Sequence, residues 1–425
     1  MADFDLSVNV FGYKLKNPLM LASCELGNSG VRCKQAAEAG AGAVVTKVIS
    51  REEVVRKEYA SGPLSPRTYV VRDMGTLVQV SGVGFLTARD WCERELEIAK
   101  EGGVPIVANF KAGPQRLRPA DEYLPTFDRL YAEHDPKVWQ RELKELEKAG
   151  VAWFEFPEGP PERTAYNARL RAEYIDRLKK IIYWAKEAVS VPIVIKLAYR
   201  YPADMVEAAM KVEEFGADGL TLGQGNEGIK IDINRGTLVG AVPTARMNVN
   251  GREGFHLWLK NIYDVAQNVK IPVFGCHGVW SGSDVIEHIM AGAVCSQMAT
   301  CPIIEGLGAF QRINNEIRDF MIRKGYKTLI EMRGIAHKNI EAKYGLKASV
   351  VEDLCNGCGL CEVVCANNTM AFEQSTKGLQ APYIRVDSST GKAKVNQELC
   401  EGCGACRSIC PPRAVVIRGW DPRCE

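Results

Sequence analysis

The chain has almost no excess charge of either sign: its 425 residues carry 54 lysines and arginines against 52 aspartates and glutamates, a net charge of +2. That balance excludes a basic footprint for nucleic acid or anionic lipid, and it leaves no acidic tail. No stretch reaches the ~20 apolar residues that a membrane span needs. The opening Met1-Ala2-Asp3-Phe4-Asp5 also lacks the basic segment and apolar run of a secretory leader. These absences lead to the expectation of a cytoplasmic protein that binds neither nucleic acid nor membrane. A disulfide scaffold is excluded as well, because such scaffolds are short, and nine of the fifteen cysteines fall after Leu354, eight of them regularly spaced. In a reducing compartment, regular spacing of this kind reads as metal binding.

Those eight form two copies of one motif. Cys355-x2-Cys358-x2-Cys361-x3-Cys365 recurs 45 residues later as Cys400-x2-Cys403-x2-Cys406-x3-Cys410-Pro411. A tight loop with a thiolate every third residue can wrap three corners of an iron-sulfur cubane, while a fourth Cys farther along reaches another cluster. Gly357, Gly359, Gly402 and Gly404 suit loops whose backbone must come close to an inorganic core. Four-cysteine zinc is the alternative, but its ligands come as two C-x2-C pairs. Each copy resembles the run of the bacterial two-cluster ferredoxins. The resemblance implies two 4Fe-4S clusters, one on Cys355, Cys358, Cys361 and Cys410, the other on Cys400, Cys403, Cys406 and Cys365. Ala366 stands where a proline usually follows the fourth Cys, which costs turn rigidity but no ligand. Cys424 lies outside both copies and reads as a free thiol.

Before Leu354 short apolar runs alternate with helical stretches. Three runs have Pro near their start, beginning at Val104, Val191 and Ile271; four follow a helix ending in Gly, at Gly40, Gly150, Gly216 and Gly292; Pro18 to Ala22 makes the eighth. Amphipathic windows lie between them, such as Pro136 to Lys148 and Arg169 to Val189. Strict alternation with near-continuous apolar strands means a parallel sheet buried on both faces, and eight units mean a closed barrel. The fold expected is therefore a (β/α)8 TIM barrel over residues 1–325, a linker over 326–345, and a small α+β ferredoxin-like domain over 346–425. Chemistry in such barrels sits at the C-terminal ends of the strands. The long connections after strands 2 (Ser50 to Ala88), 3 (Lys111 to Asp135) and 6 (Gly223 to Gly254) are the expected walls of the site. Gly223-x-Gly225-x-x-Gly228 matches a dinucleotide fingerprint, but Ile229 to Ile233 reads as strand or loop, so the helix N-terminus that would hold a pyrophosphate is missing.

At these positions the barrel resembles the flavin barrel of the dihydroorotate dehydrogenases, and its combination with a ferredoxin module resembles the pyrimidine-binding part of dihydropyrimidine dehydrogenase. The resemblance rests on Asn17-Pro18-Leu19-Met20-Leu21-Ala22-Ser23, Thr46-Lys47, Ile195-Lys196-Leu197, Gly275-Cys276-His277-Gly278-Val279 and Met298-Ala299-Thr300. It implies FMN packed on Ala22 and Ser23, with Lys47 and Lys196 near the ring and the phosphate at Gly275, His277, Gly278, Ala299 and Thr300. A cation there stabilises the reduced ring. Asn109, Gln224 and Gly251 complete the expected cofactor set, and Gln224 with Asn226 are also candidate substrate hydrogen-bonders. The substrate positions depart from the family: Phe156 stands at the fourth-strand Asn, Gln224-Gly225 at the Asn-Thr after strand 6, and Gln115 at an Asn after strand 3. Losing several polar anchors removes much of the discrimination for a planar pyrimidine.

For the acid or base, the fourth loop offers Glu158, Glu162, Arg163 and Tyr166. Glu158 leads because Phe156, Pro157 and Pro160 would desolvate it and raise its pKa. Cys24 follows the expected flavin contact, although a buried core thiol is the plainer account. The expected function is an oxygen-sensitive FMN and iron-sulfur oxidoreductase acting on a C-C or C-N bond of a small organic substrate, of the CH-CH dehydrogenase or reductase type. Electrons would be exchanged with an NAD(P)H-dehydrogenase-type subunit or a ferredoxin, in a homodimer or hetero-oligomer. The alternatives are an electron-transfer or reductive-activator subunit with no small substrate, and a dihydropyrimidine dehydrogenase with a rebuilt site.

Overall fold

The computed structural model describes residues 4–49, 68–71, 76–79, 86–111, 136–158, 168–197, 202–228, 231–238, 247–339, 346–368 and 382–417. It divides into two compact units, Met1–Lys338 and Asn339–Glu425. The first unit runs past residue 325, with Leu329 and Met332 packed in its core.

A hairpin of β1 (Val8–Val10) and β2 (Tyr13–Leu15) opens the first unit, and its tip residue Phe11 packs on Trp153 and Phe274, with ring centroids 5.6 and 6.0 Å away. Then come β3 (Leu19–Leu21) and β4 (Ala43–Val45), followed by β5 (Thr68–Val71), β6 (Thr76–Gln79), β7 (Ile106–Asn109), β8 (Trp153–Glu158), β9 (Ile193–Leu197) and β10 (Gly219–Leu222). Farther on are β11 (Asn226–Gly228), β12 (Ile231–Asp232), β13 (Thr237–Leu238), β14 (Met247–Gly251), β15 (Val273–Cys276) and β16 (Cys295–Met298). Strands β3, β4, β7, β8, β9, β10, β15 and β16 pair in parallel in that order and close into a barrel. All eight are the strands expected from the apolar runs. Gly40, Gly150, Gly216 and Gly292, which end the helices before four of them, share left-handed φ values of 91–115°. That conformation closes the helix end and turns the chain into the strand without a Cβ clash.

One feature of the barrel mouth was not anticipated. The connections after the second and sixth barrel strands supply β5, β6, β11 and β14, which join in one four-stranded antiparallel sheet. Asn226–Gly228, the second half of the Gly223 motif, is thus a strand, in keeping with the rejection of a dinucleotide fingerprint.

The second unit pairs β17 (Ala348–Val350) with β20 (Val415–Ile417), and β18 (Ile384–Val386) with β19 (Ala393–Val395). Two short helices, Leu360–Val364 and Ala405–Ile409, follow the paired cysteine loops. Each is preceded by a left-handed glycine, Gly359 or Gly404. Among the described residues no helix is long and apolar enough to cross a membrane.

Candidate active site and cluster sites

A (β/α)8 barrel is ordinarily filled by layers of branched apolar side chains from alternate strands. Near the C-terminal mouth this one is polar. Strands β8, β10 and β16, the fourth, sixth and eighth of the barrel, send in Glu155, Thr221 and Gln297, all buried. The carboxylate of Glu155 accepts from Thr221 Oγ1 at 2.7 Å, Gln297 Nε2 at 2.7 Å and Asn109 Nδ2 at 2.8 Å. The odd strands β7, β9 and β15 contribute Asn109, Lys196 and Cys276. Lys196 Nζ lies 3.6 Å from Glu155 Oε1, 3.5 Å from Gln297 Oε1 and 3.7 Å from Cys276 Sγ. Burial works against the lysine's charge, but the Cys276 sulfur and the Glu155 carboxylate outweigh it and hold its pKa above the usual value. The Cys276 thiol is itself pushed up by burial, partly offset by Lys196.

Over this floor opens a cavity walled by the C-terminal ends of the barrel strands and the loops that follow them. Ala22, Ser23, Lys47, Asn109, Lys196, Gln224, Gly251, His277, Gly278, Ala299 and Thr300 all line it, so the structure brings eleven of the twelve expected cofactor residues together. Lys47 is held by Glu25 at 2.9 Å. Asn109 Oδ1, Gln224 Oε1 and His277 Nε2 are buried on this wall without a hydrogen-bond partner among the described residues. Gly278, at φ 76°, presents bare backbone; a Cβ there would meet Phe255 Cβ at 2.7 Å and Cα at 2.8 Å.

Three candidates lie off the wall. Gly275 faces outward from β15 toward the helices, where a Cβ would meet His288 Nδ1 at 2.4 Å, so its smallness makes room for a core histidine. Cys24 is a buried core thiol, pushed up to about 12 by burial and then by Glu25. Asn226 is part of β11 and is likewise not on the wall. Glu158 ends β8, its backbone paired with Leu197, and its side chain is outside the described residues, as are Gln115, Glu162, Arg163 and Tyr166.

Phe156 requires a correction. Strand alternation aims it away from the cavity, into the outer layer against Trp139 and Phe110. Pro157 takes the inner position and lines the cavity. Sequence reading also passed over Glu155, Thr221, Gln297 and Cys276. Their signal was one polar residue inside an apolar strand, as in Phe154-Glu155-Phe156 and Leu220-Thr221-Leu222.

In the second unit, Cys355, Cys358, Cys361 and Cys410 ring one small void, and Cys365, Cys400, Cys403 and Cys406 ring another. These are the two crossed sets carried over from the ferredoxin resemblance. Among the described residues no group of three or more His, Cys, Asp or Glu is drawn together as one metal ion would require. Thiols spaced around a void suit a cubane instead.

Polar barrel mouth and thiol-ringed voids together define a redox protein, a flavin barrel coupled to an iron-sulfur module. Residues 163–321 match the family model of dihydroorotate dehydrogenase, and residues 354–414 match a 4Fe-4S dicluster domain. The chain is 28% identical over 337 residues to a protein of Methanocella arvoryzae named dihydroorotate dehydrogenase B (NAD(+)), catalytic subunit, covering 79% of this chain and 99% of that one. Proteins of the same name from Methanosarcina mazei (29% over 342 residues; 79% and 96% covered) and Methanocaldococcus jannaschii (27% over 338 residues; 80% and 100% covered) are similar. The chain is a dihydroorotate-dehydrogenase-like, flavin-dependent oxidoreductase of the CH-CH type, with FMN and two 4Fe-4S clusters as cofactors. The cavity fits FMN: it is lined by two cations and by buried acceptors without a hydrogen-bond partner among the described residues.

Proposed function

We propose that this chain reduces or oxidises a small organic molecule at a C-C or C-N bond across FMN seated in the barrel mouth, and exchanges electrons with a partner through the two clusters. The supporting observation is the cavity floor, where the buried cation Lys196 is held in place beneath a wall of unpartnered acceptors. FMN suits this junction because it handles both two-electron and one-electron exchange, whereas a cluster passes single electrons. Lys196 and Lys47 supply positive charge where the reduced ring gains negative charge. Asn109 Oδ1 and Gln224 Oε1 accept from N-H or O-H groups of the bound molecules. Glu158, at the C-terminal end of β8, is the proposed proton donor or acceptor, ahead of Tyr166; Cys24 is set aside because its buried thiol does not reach the wall.

The substrate is proposed to be other than dihydroorotate. Where the family pattern has a hydrogen-bonding Asn on the fourth strand, the residue facing this cavity is Pro157, which has no polar side chain. The relatives' names include NAD(+) and a catalytic subunit. This supports a separate NAD(P)H-dehydrogenase-type subunit as partner, a ferredoxin being the other choice.

The test is anaerobic photoreduction of the purified chain followed by mixing with candidate substrates. Flavin reoxidation by a small molecule is the expected result; reoxidation only by a partner protein would favour a relay or activator subunit, the reading that Pro157 also supports. Turnover of dihydroorotate, uracil or thymine would overturn the substrate assignment.

A further inference from the structure

A carboxylate at 1% exposure is a costly thing to place in the middle of a barrel, and branched apolar side chains fill that space in most barrels. Glu155 does not touch the cavity; it lies one layer beneath, and every partner meets it as a donor: Asn109, Thr221, Gln297 and the Lys196 ammonium. Gln297, by donating its amide N-H to Glu155, turns its own carbonyl toward Lys196. The lysine is therefore aimed by a carboxylate, an amide carbonyl and a sulfur, all within 3.7 Å.

We infer that Glu155 is a positioning residue that sets the reduction potential of the flavin, by fixing Lys196 at the cavity floor and partly neutralising its charge. The inference rests on the FMN seat proposed above. The physics is electrostatic. Reduction adds negative charge to the bound ring, and a cation at the floor favours it. A counter-charge immediately below the cation weakens that effect, in a site too dry for solvent to screen it. The pair thus holds the potential below the value that an uncompensated lysine would give.

The test is an anaerobic spectroelectrochemical titration of the flavin in the full-length, cluster-loaded protein. Glu155→Gln, nearly isosteric, is expected to raise the flavin midpoint, favouring the reduced form by roughly tenfold, which is ~30 mV for a two-electron couple. Thr221→Val removes one hydrogen bond from the same carboxylate while leaving its charge, and is expected to stay near wild type. Lys196→Met is expected to lower the midpoint. If Lys196→Met lowers it while Glu155→Gln leaves it at the wild-type value, the role of Glu155 is refuted. A Thr221→Val shift as large as that of Glu155→Gln would reduce the effect to packing and refute it too. If Lys196→Met also leaves the midpoint unchanged, the FMN seat itself is wrong, and the inference falls with it. Should Glu155→Gln not yield flavin-loaded protein, Glu155→Asp, whose shorter side chain draws the charge back from Lys196, serves in its place. Its expected shift is smaller and of the same sign, and no shift would refute the role.

Discussion

Lys196 and Glu155 illustrate what burial demands of charged residues. Removing one partner of a buried, hydrogen-bonded ion pair leaves the other uncompensated, which costs about 3–5 kcal/mol, whereas replacing both by apolar residues is often neutral. Glu155→Ala is therefore expected to lose stability on that scale, and Glu155→Leu with Lys196→Met to recover most of it, as read by urea midpoints of the flavin-free chain. His288 makes a second prediction. It is buried against Phe255, bonds Ser296 at 3.0 Å, and its pKa is lowered from 6.5 to about 3, by burial first and then by His277. Between those values the unfolded chain holds a proton that the folded one refuses. The contribution is thus fully present above pH 6.5 and is lost as pH falls toward 3, with a slope of at most ~1.4 kcal/mol per pH unit. Stability measured from pH 7 to pH 4 should fall less steeply in His288→Gln than in wild type; equal slopes would count against this account. At this scale the lysines were legible through the resemblance to the flavin barrels, which Thr46-Lys47 and Ile195-Lys196-Leu197 carry. Their anionic partner was not, since a single Glu between two phenylalanines gives no sign of which way it faces.

Among the elements, the loop after β15 bears most directly on the cofactor. His277 and Gly278 both have positive φ, 84° and 76°, and Gly278 is packed against the backbone of Phe255. Gly278→Ala must move that backbone, so it is expected to yield chain with much less bound flavin, measured as visible absorbance per protein, while iron content stays unchanged. The same loop shows where sequence reading was strong and where it slipped. The run Gly275-Cys276-His277-Gly278-Val279, through its resemblance to the family's phosphate end, was enough to mark the loop as part of the cofactor site. Strand register was harder, because one residue of offset exchanges inner and outer faces. One such offset separates Phe156, which the resemblance sets at the fourth-strand Asn, from Pro157, which lines the cavity. The sheet of β5, β6, β11 and β14 was illegible for a different reason: its strands come from connections more than a hundred residues apart, and no local period announces their pairing.

For the whole molecule, two units with separate cores make separable predictions. A chain ending at Lys338 is expected to retain flavin and contain no iron; absence of flavin from a folded truncation would contradict the placement of the cofactor in the barrel. This division was visible in the sequence, because periodic apolar strands stop where periodic cysteines begin. Within the second unit, each void is closed by three thiols from one sequence repeat and one from the other. The two halves are therefore not spare copies. Excising either repeat would strip one cavity of three ligands and the other of its last, so neither can mature as an independent half-ferredoxin. When iron or sulfide runs short, such an arrangement should divide the population into fully furnished and empty molecules, with few carrying a single cluster.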